Sequence, residues 1–404
     1  EMIKVLRELE RRGEKIPVFV GGATTSALHT AVKMAPEYSG AVIHSGDASE
    51  NVALLGRLFG PGREEFLREI KEKQEKLRAA YFSSTSGTSL IPLATARANG
   101  HKKMSTDIIT PVETGVEVFR DYPIAEVEKY IDWTYFLTSW DIKGKYPDVL
   151  DSLEKGTEAR KLIADAKALL EKIKFGKLLT LNGVAGVFPT TRRGDDIVIT
   201  AGKGKEIVLP QLRSQNQAAS ENLSLADYVV PEADGYTDYI AAFAVSAGFG
   251  LDELSESFRN GHDDYNAIIC KLLADRLTEA FAEVVHREVR RRLWGFEEGP
   301  DLSPEDILGE KYQGLRMAFG YPAVPDHSLK KEVFDLLSVE KNTGLRLGEN
   351  FMIEPAEALC GLIFADPGIR YFDVGRIGEE QLEDYARRRG FSSAEACRLL
   401  PRNI

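Results

Sequence analysis

The opening segment constrains the chain most. Met2, Ile3, Leu6 and Leu9 recur at helical spacing, and IPVFVGG is a short β-branched run ending in two glycines. A helix follows over about 25–34, then the strand AVIH and another helix near 50–59. This alternation belongs to a parallel α/β sheet. It supplies only two strands, and a two-stranded parallel sheet is neither covered on both faces nor stable alone. The chain opens at Glu1 rather than a methionine. The expectation is that residues 1 to about 60 form the back half of a doubly wound domain whose front half is missing.

A charged helix is expected over 63–80, and the Ser/Thr/Gly tract SSTSGTS that follows reads as a linker covering 81–97. From 98 to 404 long helices mix with the strands VAGVFPT, DDIVIT, KEIVL and YIAAFAVS. Helices are expected over about 262–293 and 329–338, and no solenoid period recurs. The pattern predicts one sizeable α+β domain with a mainly antiparallel sheet, after part of an α/β doubly wound domain of flavodoxin-like type. At ~150 residues per domain the length of 404 residues admits both.

Lys plus Arg number 52 against 63 Asp plus Glu, a net charge of −11, which gives no electrostatic footprint for nucleic acid or an anionic membrane surface. The longest nearly apolar run, 239–249, is far short of the ~20 residues that span a bilayer, and no signal peptide is evident. Cys270, Cys360 and Cys397 are scattered, with no CxxC pair, and no HExxH occurs. This predicts a reducing cytoplasm and no protein-held metal in this chain.

GGATTS, Gly21 to Ser26, sits at a strand end and opens a helix, where glycines admit a ligand to the backbone. It reads equally as a ligand cradle or as a simple helix cap. WTYFLTSW follows Asp132; its aromatics at helical spacing read first as core, whereas a carboxylate in an apolar segment needs a partner. Arg316 lies in KYQGLRMAFGYPAVPDH, read as a Gly- and Pro-rich loop, where arginine suits bidentate capture of a carboxylate or is merely on the surface. His327 in the same segment reads as a satisfied loop histidine. HDDYN reads as a helix N-terminus with acids complementing the dipole. Glu279 reads as solvated in mid-helix unless a cation needs it. IRYFDVGRI reads as a strand, with Tyr371 and Phe372 on opposite faces.

Together these segments resemble the C-terminal part of cobalamin-dependent methionine synthase. GGATTSALHTAVK resembles the latter half of that family's cobalamin-binding domain. IDWTYF, GKYP, LADYV, DYIAAFAV, HDDYN, ADRLTEAFAE, YQGLR, GYPAVPDH and DYARRRG resemble, in order, its activation domain. The resemblance implies an enzyme that moves a methyl group from methyltetrahydrofolate to homocysteine through cobalamin. It further implies that this region binds S-adenosylmethionine, which, with one electron from a flavodoxin-type donor, restores methylcobalamin. The partners implied are the remaining modules of the same enzyme and that donor.

Residue by residue, the resemblance assigns Gly21, Gly22, Thr24 and Ser26 to cobalamin. Asp132, Arg316, Tyr371 and Phe372 go to S-adenosylmethionine, with Glu279 and Tyr321 as second-rank members. The DxHxxG loop carrying the cobalt-ligating histidine is absent from these residues, as are the homocysteine and folate modules; zinc is expected only in the homocysteine module. The family's usual tyrosine pair is Tyr371-Phe372 here, and Met317 and Phe319 stand where it has prolines. The other reading is a non-enzymatic subunit that binds S-adenosylmethionine or docks a separate corrinoid protein.

Overall fold

The computed structural model describes residues 2–21, 26–45, 50–60, 62–86 and 89–404. It divides into two units, Glu1–Ser89 and Leu90–Ile404. In the first, strands β1 (Val18–Val20) and β2 (Val42–His44) pair in parallel. Leu6, from the helix Met2–Arg11, packs with Val20, Met34 and Val42 on one side. Ile43, Leu58 and Phe66 form a second small cluster.

The charged helix runs over Arg63–Ser86, into the Ser/Thr/Gly tract. Residues 90–97, read from sequence as tether, are packed in the second unit. Ile91 N–H donates to the Gln215 carbonyl at 3.0 Å, and Leu93 and Ala96 are buried. Composition suggested a loop, but the apolar side chains of IPLATA have a core to enter.

The second unit is a helix-covered, mainly antiparallel sheet of seven strands: β3 (Gly115–Phe119), β4 (Thr180–Arg193), β5 (Asp196–Ala201), β6 (Lys205–Pro210), β7 (Asp238–Phe249), β8 (Leu315–Ala318) and, after the short hairpin β9 (Arg346–Leu347) and β10 (Ile353–Glu354), β11 (Ala358–Phe364). The order is β6-β5-β4-β7-β11-β8, and β3 shares with β5 the outer edge of the long β4. Alternation divides each central strand between two cores. Leu181, Ala185 and Val187 of β4 with Ala241, Phe243 and Val245 of β7 face the helices Gly156–Gly176 and Asp264–Glu288. Val184, Phe188, Ala242 and Ala244 face the opposite way, toward the helix Lys330–Leu337. Among the described residues no helix is long and apolar enough to cross a membrane.

Arg213, beyond the end of β6, lies between two buried carboxylates, with Asp195 and Asp227 each 2.6 Å from its guanidinium, while Gln381 holds its backbone. The fork geometry satisfies both acids. Replacing Arg213 with Ala leaves each acid one remaining cation, Arg97 at 2.7 Å from Asp195 and Arg192 at 2.9 Å from Asp227, but strips buried hydrogen bonds from both, so a loss of about 1–3 kcal/mol is expected. This is read as a lower urea midpoint at unchanged slope.

Candidate functional site

β8 decides where the site forms. Leu315 and Met317 enter the core beside the helix Lys330–Leu337, so alternation delivers Arg316 to the other face, opposite the helix Asp264–Glu288. Arg316 is therefore on an edge strand, not in a loop, and the register Arg316↔Ile363 and Met317↔Leu362 fixes it. Two left-handed glycines bracket the strand, Gly314 (φ +81°) and Gly320 (φ +95°). A Cβ on Gly314 would stand 2.4 Å from the Phe364 carbonyl, and one on Gly320 2.1 Å from the His327 ring. Met317 and Phe319 are 2% and 4% exposed, so burial does here what prolines would do by stiffness.

Across from β8 the long helix presents Arg276, Glu279, Glu283 and His286, spaced three and four residues apart and so on one face. Glu283 Oε1 accepts from Arg316 Nη2 at 2.5 Å. The Tyr312 hydroxyl accepts from Arg316 Nη1 and donates to Glu283 Oε2, both at 3.3 Å, closing a ring. His286 Nδ1 accepts from Arg316 Nη1 at 3.4 Å, which places the imidazole proton on Nε2; that nitrogen is buried without a partner. The Arg316 Nε–H has no partner among the described residues.

Burial works against the Arg316 charge, but the Glu283 carboxylate and then Tyr312 outweigh it, and the net shift is upward. Burial also pushes the Tyr312 hydroxyl up to about 12. His286 is held well below the ordinary histidine range, first by burial and then by Arg290 and Arg316. Since the unfolded chain takes up a proton below about 6.5 and the folded one does not, stability falls with pH below that value. A His286→Gln variant is expected to flatten this fall by up to about 1.4 kcal/mol per pH unit, seen in urea unfolding at stepped pH.

Arg316 is the floor of a two-lobed cleft. One lobe, about 380 Å³, is walled by Phe243, Met317, Leu359 and Phe372. The other, about 400 Å³, is walled by Tyr130, Asp132, Tyr135 and Glu283. Glu279, Arg316, Tyr321 and Tyr371 line both. The six residues matched to S-adenosylmethionine in sequence thus surround one cleft. Besides Arg316, three differ in setting from what the sequence alone suggested. Glu279 is half-buried in the cleft rather than solvated, and burial raises its pKa although Arg316 and Arg276 pull it down. Residues 369–377 form no strand: Val374 N–H bonds the Pro322 carbonyl and Ile377 N–H that of Asn403, with no strand alongside. Without alternation Tyr371 and Phe372 line the same cleft, and the Tyr371 hydroxyl donates to the Arg316 carbonyl at 3.4 Å.

Asp132 caps the short helix Trp133–Thr138, its Oδ1 accepting from the amides of Thr134 and Tyr135 at 2.8 and 3.3 Å. Of the following aromatics Phe136 is core, whereas Tyr135 is 63% exposed at the cleft. HDDYN does open the long helix, with Asp263 as its cap. Glu283, Tyr312, His286 and Tyr130 escaped the sequence reading; the signal for the first was the polar three-four spacing within an apolar helix.

In the first unit, Gly22 and Thr24 lie outside the described residues. Ser26 accepts from His29 N–H at 3.1 Å as a helix cap, the simpler of its two readings. A Cβ on Gly21 would stand 3.3 Å from the Ser45 carbonyl of the neighbouring strand end.

Fold and cleft define an α+β domain built around a small-molecule cleft at a sheet edge. Residues 123–390 match the family model described as vitamin B12 dependent methionine synthase, activation domain. A crystal structure of the MetH reactivation domain bound to AdoHcy superposes with a TM-score of 0.76 at 41% identity, over 78% of this chain and 99% of that one. The chain belongs to the vitamin B12 dependent methionine synthase activation-domain family.

Proposed function

We propose that the cleft binds S-adenosylmethionine and that this chain is the part of cobalamin-dependent methionine synthase that restores methylcobalamin after the cobalt is oxidised. The observation that carries the reading is Arg316, fixed by Glu283 and Tyr312, with its Nε–H open to a cleft that also holds Glu279. The ligand of the 41% identical structure, AdoHcy, shares with S-adenosylmethionine its carboxylate, ammonium and adenosine and lacks only the transferable methyl.

In this reading Arg316 anchors the carboxylate, since its fork is already oriented. Asp132, with Oδ1 committed to the cap, takes an ammonium or hydroxyl donor on its second oxygen. Tyr321, Tyr371 and Phe372 supply aromatic surface for the base. Glu279, a carboxylate raised by burial, favours a ligand cation nearby. The unit Glu1–Ser89 is then the end of the cobalamin-binding domain, and Gly21, Gly22, Thr24 and Ser26 are its cobalamin-facing residues. Cobalamin, when bound, supplies the cobalt that accepts the electron and the methyl group. The electron donor is of flavodoxin type and the other partners are the enzyme's remaining modules.

Arg316→Ala is expected to weaken S-adenosylmethionine binding by about 2–5 kcal/mol, and Arg316→Lys, which keeps the charge but not the fork, by a smaller amount. Calorimetric titration into the full chain measures both. Parent-like affinity in the two variants would remove Arg316 from the site.

A further inference from the structure

A third cavity, about 720 Å³, shares no lining residue with the cleft; Gly320, His327, Glu349, Arg398, Arg402 and Asn403 line it. Behind its wall Lys330 is 6% exposed and makes no ion pair among the described residues. Its ammonium donates only to neutral acceptors, His327 Nδ1 at 2.8 Å and the Phe351 carbonyl at 3.1 Å. Lysine is rarely buried without a counter-ion. Since His327 Nδ1 accepts, its Nε2 carries the proton and is a free donor among the described residues. Among the described residues Arg402 makes no ion pair either, and Arg398 only a loose one with Glu395 at 3.9 Å. The wall thus carries one unpaired cation, Arg402, and one loosely paired, Arg398, with the Lys330 ammonium behind them lacking a counter-ion among the described residues. It also holds acceptors. Asn403 spends its amide N–H on the Gly375 carbonyl at 2.7 Å, which leaves Oδ1 buried and unpartnered in a residue 4% exposed. Glu349 adds a carboxylate.

We propose that this cavity is a second ligand site, for a hydrogen phosphate group, free or as a monoester. Cationic donors without acceptors would suit any oxyanion. The Glu349 carboxylate repels one without hydrogen and rewards one that brings its own O–H. Arg402 and Arg398 meet the phosphate oxygens, the His327 Nε2–H donates to another, and Lys330 balances the charge from behind.

The test is calorimetric titration of the full chain at about pH 6, where phosphate and methyl phosphate both keep an O–H. Inorganic phosphate, methyl phosphate and sulfate are compared at matched ionic strength. Phosphate is expected to bind at a single site, at least tenfold tighter than sulfate. Methyl phosphate as tight as phosphate identifies an ester as the natural source, and weaker binding identifies the free ion. Arg402→Ala, at an exposed position without an ion-pair partner, and Lys330→Met are each expected to lower phosphate affinity about tenfold. Sulfate binding as tightly as phosphate, no saturable phosphate binding, or unchanged affinity in Arg402→Ala would overturn the site.

Discussion

The site depends on one contact between an edge strand and a helix, the pair formed by Arg316 of β8 and Glu283 of the helix Asp264–Glu288. Both side chains are nearly buried, at 13% and 10% exposed. A pair this far from water is stable only if the remaining hydrogen-bonding capacity is met. Tyr312 meets it by bonding both partners, and the neutral His286 accepts a third guanidinium N–H. Of five guanidinium N–H groups, three are engaged and two, the Nε–H among them, are left. An anchor held this way loses little freedom when it takes a ligand carboxylate, which is the general advantage of preorganisation.

The same helix face shows how position alone separates two glutamates. Glu283 is neutralised by Arg316, whereas Glu279, one turn earlier, makes no ion pair among the described residues and lines both lobes of the cleft. Burial raises its pKa, so a bare carboxylate there is held at a cost. A ligand cation close by removes that cost. Charge within the cleft is thus complementary to S-adenosylmethionine: Arg316 for its carboxylate, Glu279 for its sulfonium.

Much of this was legible in sequence because it rests on local rules. The alternating strands β4 and β7, the capped long helix after HDDYN and the acid before WTYF all announced themselves. What was missed depends on tertiary pairing. Four residues, LRMA, between glycines look like loop until β11 lies beside them, and only then does alternation send Arg316 toward the helix. Tyr371 and Phe372 failed in the opposite sense, since a β-like sequence found no strand to pair with. Glu283 carried a signal in its spacing, but its role depends on Arg316 and Tyr312, far away in sequence. The tether was overlong because polarity in SSTSGTS masked the apolar residues after it, of which Leu93 and Ala96 are buried.

The most direct test of this charge complementarity is a comparison of S-adenosylmethionine with AdoHcy, which lacks the sulfonium charge, by titration into the full chain and its Glu279→Gln variant. If Arg316 holds the carboxylate that both ligands carry and Glu279 faces the sulfonium that only S-adenosylmethionine has, the parent prefers S-adenosylmethionine and the preference shrinks in Glu279→Gln, while AdoHcy affinity is nearly unchanged. An equal loss for both ligands, or none for either, would contradict it.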